Sequence, residues 1–147
     1  MDWVAISVTD FVTEGFSATE RTAIEAAAGA GGIAAILTGA IAEWRGVISA
    51  AGQEVDADTT LIPPSCRRHI IAQVRWSLLL TLSQLKQLQT EERKAANDAA
   101  EEVLTAIAEG DRAIEDPDEE ADEVGAGGTW GSKVQVEMRL SNTDDTA

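Results

Sequence analysis

A chain of 147 residues with a formal charge of −15 and a pI near 4.2 has the size of one domain and a surface that repels phosphate and anionic lipid. One cysteine and one histidine exclude an intrachain disulfide and leave too few ligands for a zinc site, unless subunits share carboxylates. Hydrophobic content of 44%, rich in alanine and with four Trp, two Phe and no Tyr, favours close helix–helix contact over a bulky sandwich core, so an all-α bundle is expected.

The start, MDWVAISVTDF, has an acid at its second position and no basic leader region. A short helical turn is expected over Ser7–Thr13, capped by Ser7 or Thr9, before Gly15. Ser17-Ala18-Thr19-Glu20 matches a capping box, in which the serine oxygen takes the N3 amide and the glutamate returns to the serine amide. The helix it opens should reach about Ala28. Gly29-Ala30-Gly31-Gly32 then ends or kinks it, since each glycine costs a helix roughly 1 kcal/mol relative to alanine. This glycine cluster lacks G-K-[ST] and follows a helix instead of a strand, so it is not read as a phosphate loop.

A second helix is expected from Ile33 to Ala51. Ile33, Ile36, Leu37, Ala40, Ile41, Trp44, Val47 and Ile48 recur every three or four residues and form one apolar stripe. The longest apolar runs carry Glu43 and Arg45 or span about nine residues, too few to cross a bilayer, so no membrane partner and a cytoplasmic location are expected. Gly52 is a natural stop, and residues 53–64 read as a loop ending in Pro63-Pro64.

The third helix follows. Its first turn holds Cys66, Arg67, Arg68 and His69. Three residues apart on a helix, thiol and imidazole could meet and the arginines would lower a thiol pKa. No orienting Asn or Asp and no oxyanion turn accompanies them, so catalysis is not the preferred reading. Electrostatics explains more: Arg67 and Arg68 oppose the macrodipole at a helix N-terminus unless an acidic partner is near, and the acidic fourth helix and linker could supply one. Simple solvation is the alternative.

Around Val74, Ile70, Ile71, Leu78, Leu82 and Leu85 share one side while Trp76, Leu79 and Leu80 fall on the remainder. Residues 74–82 are thus apolar almost all round. Two readings stand: a helix at the centre of its own domain, or one covered by other subunits. The candidate contacts with neighbouring chains are Arg67, Arg68, Arg75, Trp76, Leu79 and Leu80.

Thr90 can cap a fourth helix with Glu91 and Glu92 in its first turn, a stripe of Ala96, Ala100, Val103, Leu104 and Ile107, and Gly110 just past its end. Its carboxylates Glu91, Glu92, Asp98, Glu101, Glu102 and Glu109 spread around the helix with no E-x-x-H companion, and read as a solvated face. Residues 91–123 hold fourteen of the twenty-six acids. The chain accordingly divides into a helical domain, 1–112, an acidic Gly-rich linker, 113–132, and a C-terminal arm, 133–147. Within the arm Lys133–Leu140 alternates polar and apolar, the period of a half-buried strand. Val134, Val136, Met138 and Leu140 are candidates for adding this strand to another chain.

The order of these parts carries a resemblance. A short N-terminal helix, AEWRGVI at 42–48, a loop ending in Ile62-Pro63-Pro64, a helix with Arg75-Trp76-x-Leu78-Leu79, and TEERKAANDAAEEVLTAIAEG at 90–110 resemble the head–tail connector, or head-completion, proteins of tailed phages, in the Mu-like prophage branch. The resemblance covers about Val8 to Pro117. It implies a helical structural subunit, not an enzyme and without cofactor, that forms a ring, commonly a dodecamer, under the portal at the phage neck. Such a ring binds the portal above and a tail-side terminator or stopper below, and lets DNA pass without specific binding. The location implied is the virion neck, after assembly in the host cytoplasm. From another class, the alternative is a DNA-packaging-associated or regulatory helical module that contacts DNA through Arg67, Arg68 and Arg75.

Overall fold

A computed structural model describes residues 2–117. They form a mostly helical body: β1 (Val4–Ala5), α1 (Val8–Gly15), α2 (Ala18–Ala50), β2 (Leu61–Ile62), α3 (Arg67–Thr81) and α4 (Glu91–Ala108). Short 3₁₀ segments at Pro64–Cys66 and Ser83–Leu88 lead into and out of α3. The strand-like arm expected at 133–140, with Val134, Val136, Met138 and Leu140, lies outside the described residues, as does most of the linker.

Local sequence chemistry sets the helix boundaries. Ser7 caps α1 reciprocally with Asp10, and Ser17 caps α2 reciprocally with Glu20. Thr90 accepts from the Arg93 amide to start α4, and Gly110, at φ +80°, lets the chain turn where α4 ends. The glycine cluster does interrupt α2. Gly29 adopts φ 73°, ψ 160°, a conformation a side chain would strain, so residues 18–28 and 30–50 are two helical arms of one kinked element. Ser17→Ala should lower stability by about 1 kcal/mol, measured by urea unfolding, because it orphans the Glu20 amide at the start of this element.

Helix α3 packs against both α2 and α4, which also touch each other. The predicted α2 stripe supplies Ile33, Leu37, Ile41, Trp44 and Ile48 to the core, where they meet Ile70, Val74, Leu78 and Leu79 of α3 and Ala100 and Ile107 of α4. Phe11 and Phe16 meet edge to face and close the α1 end. Trp44 donates its indole N–H to Gln73 Oε1 at 2.6 Å, tying α2 to α3.

Two features were not legible as elements. Two-residue strands pair Val4 with Ile62 and Ala5 with Leu61, antiparallel, inside what reads as loop. The helical body also extends beyond 112: Ile114 packs on the core, Pro117 is buried, and the Trp3 indole donates to the Glu115 carbonyl at 2.9 Å. Residues 113–117, assigned by composition to the acidic linker, thus seat apolar Ile114 and Pro117 against the helices.

Candidate functional site

Pro63 and Pro64 start α3 through one 3₁₀ turn, as their fixed φ favours. Cys66 ends that turn fully buried, and burial pushes its thiol up to about 11, so the reactive thiolate is scarce at neutral pH. Desolvation, aided by the positive charges of Arg68 and Arg112, lowers the His69 pKa and favours neutral imidazole. No hydrogen bond joins Cys66 to His69. The two are near in sequence and chemically uncoupled.

The arginines have separate fates. Arg67 forms a two-pronged pair with Glu14 at the end of α1. The partner is thus α1, not the acidic fourth helix or linker, because α3 starts beside the α1 C-terminus. Arg75 lies half-buried against the same end and donates to the Gly15 carbonyl at 3.4 Å, placing a cation at the negative end of the α1 dipole. Its Nε is buried without a hydrogen-bond partner, and desolvation lowers its pKa. Arg68 alone is exposed, and it makes no ion pair among the described residues.

Within the subunit, α3 buries Ile70, Ile71, Ala72, Val74, Leu78 and Leu79. Leu79, a candidate contact with a neighbour, is 0% exposed in the subunit core. Its side chain packs inside the subunit, where α3 touches α1, α2 and α4. Trp76 is half-buried, and Leu80 at 58% is the exposed large hydrophobic residue among those described. One turn apart, Trp76 and Leu80 can share a surface patch.

A long, little-buried helical face lies elsewhere, on α2. Residues Gly31–Ala50 have a mean hydropathy of 1.3 and are only 28% buried. By length and composition this segment could cross a bilayer, which sequence reading excluded on Glu43 and Arg45; Glu43 and Arg45 do not disqualify it on that count. Its stripe is nonetheless committed to the core, and Arg45 is bonded to the carbonyls of Asp56 and Leu61. Opposite the stripe, Gly32, Ala35, Gly39, Ala42, Gly46 and Ser49 are exposed and recur at alternating spacings of three and four. A Cβ placed on Gly39 or Gly46 would meet nothing within 4 Å. Nothing inside the subunit requires glycine there, although each costs helix stability. The seven-residue recurrence was visible in the sequence, but small residues do not register in a search for bulky stripes.

The α4 carboxylates stay outward. Asp98, Glu101, Glu102, Glu109 and Asp111 line an open groove with Thr105 and Ala106, and Lys94 pairs with Asp98 at 3.2 Å. Among the described residues no three His, Cys, Asp or Glu side chains are placed to hold a metal ion.

Glu20 and Arg93 join the starts of α2 and α4 at 2.7 Å. The bond from Arg93 holds the Glu20 carboxyl below its ordinary 4.5, and that from Arg67 does the same for Glu14. With folded values depressed, both pairs contribute fully above the unfolded pKa and lose their contribution as pH falls through the folded one. Acid should therefore weaken the fold below about pH 4.5. Glu20→Gln should remove about 1 kcal/mol or less at pH 7 and flatten that acid limb, read from urea midpoints across pH.

No protein-family model, curated protein or solved structure matches this chain.

Proposed function

We propose that the chain is a structural virion protein of the phage neck, a non-enzymatic head–tail connector that forms a ring under the portal and joins capsid to tail. The observation that carries the assembly part is the uncovered α2 face. A long helix with a small-residue, glycine-interrupted outer side is suited to close contact with another copy, where small residues let backbones approach. The Trp76 and Leu80 patch offers an apolar anchor to a neighbour or to the portal. The phage context rests on the sequence resemblance from Val8 to Pro117.

The acidic surface fits a conduit through which DNA must slide, since it withholds the phosphate contacts that would retain the strand. The DNA-contacting alternative loses support from the arginines: Arg67 is paired with Glu14 and Arg75 lies against α1, which leaves Arg68. Mass measurement of the purified chain, alone and mixed with portal, tests the reading. A multisubunit ring that joins the portal is expected; a strictly monomeric chain that never enters a portal or neck complex ends the proposal. DNA affinity at low salt that weakens steeply as salt rises would favour the packaging module.

A further inference from the structure

After α4 the chain reverses at Gly110, with the Gly110 and Asp111 amides bonded back to the Ile107 and Ala106 carbonyls at 3.1 and 2.8 Å. Residues 111–117 then cross the body as an extended strap. Three side chains from distant parts of the sequence hold it. Gln53 acts as a surrogate strand edge: its Nε2 donates to the Arg112 carbonyl at 3.1 Å and its Oε1 accepts from the Ile114 amide at 3.0 Å. The Trp3 indole donates to the Glu115 carbonyl, and the Ser65 hydroxyl donates to the Glu115 carboxylate at 2.8 Å. Along one edge a cleft lined by Gln53, Glu54, Ile114, Glu115 and Asp116 leaves the strap incompletely sealed.

We propose that residues 111–117 are a latch that opens as a unit about Gly110 while the four helices remain folded. The bonds holding Arg112, Ile114 and Glu115 run to single side chains of the body, and Ile114 is only partly buried. Such a segment belongs at the low-energy end of local opening, well below global unfolding. Closed, the latch fixes the exit of the C-terminal chain beside Trp3 and Ser65. Open, it frees seven residues and lengthens the reach of everything beyond them by roughly 25 Å. The inference does not depend on the connector reading, because a chain that never forms a ring can still show it.

Native-state trypsin digestion of the full chain tests it, with the 1–112 fragment followed by mass. Cleavage after Arg112 requires the Gln53 clamp to open. Gln53→Ala should raise that cleavage rate about tenfold, while cleavage after Arg68 and Arg75 in α3 and the urea midpoint stay near those of the unmodified chain. Gln53→Glu, which can still accept from Ile114 but cannot donate to Arg112, should fall between. Amide exchange in the unmodified chain should place Ile114 between exposed amides and those of residues 70–79. The latch is overturned if Gln53→Ala leaves cleavage after Arg112 unchanged, if the Ile114 amide exchanges as freely as an exposed one, or if it exchanges only at the rate of the α3 core.

Discussion

Gly39→Arg is expected to leave the subunit folded and to abolish its self-association. Gly39 sits mid-helix on the exposed side of α2, and no heavy atom lies within 4 Å of where its Cβ would be. Inside one subunit the new side chain therefore meets no obstacle, and exchanging glycine for a good helix former should add about 0.5–1 kcal/mol. Between two closely approaching helices the same side chain would hold the backbones apart and trap a charge without a partner. Sedimentation should report a monomer with the circular dichroism of the parent. Ala99→Arg, which adds the same single charge at an exposed position of α4, should assemble normally. Unaltered assembly by the Gly39 variant would remove the α2 face from the interface.

The second large effect concerns the core. Trp44→Ala should cost about 3–5 kcal/mol, as large-to-small changes at fully buried aromatic positions do. Trp44 is 0% exposed, on the stripe that packs α2 onto α3, and its indole N–H bonds to Gln73. The substitution opens a cavity and leaves Gln73 without that donor. Measured against a domain stability of about 5–15 kcal/mol, this is enough to leave a sizeable unfolded fraction at moderate urea. Trp44→Phe, which keeps most of the volume and loses the hydrogen bond, should cost about 1–2 kcal/mol. A Trp44→Ala loss below about 1 kcal/mol in urea titrations of unchanged slope would show that this junction is not central to stability.

These two positions, five residues apart on one helix, mark how unevenly the sequence could be read. Trp44 belongs to a bulky period that identifies a core face directly. Gly39 belongs to a smaller period, Gly32, Ala35, Gly39, Ala42, Gly46 and Ser49, that has meaning only once the opposite face is known to be occupied. The strap was concealed for another reason. Trp3, Gln53, Ser65 and Glu115 are separated by tens of residues and form no local pattern, so only the folded chain brings them together.

The sequence by itself determined the helical class, the caps at Ser17 and Thr90, an interruption within Gly29–Gly32, the turn at Gly110 and the buried stripe of α2, because capping, φ preference and side-chain period act within a few residues. The choice of Ser7 over Thr9 as the first cap, and of Gly29 as the point of the kink, came from the folded chain. Tertiary structure decided which apolar residues are spent inside the subunit. It enclosed Leu79, left Leu80 and the small-residue face of α2 open, and paired Arg67 with Glu14 instead of the acidic α4. Those outcomes depend on which elements lie beside one another, and proximity across the chain is set by the packing of the whole body, not by any one segment's composition.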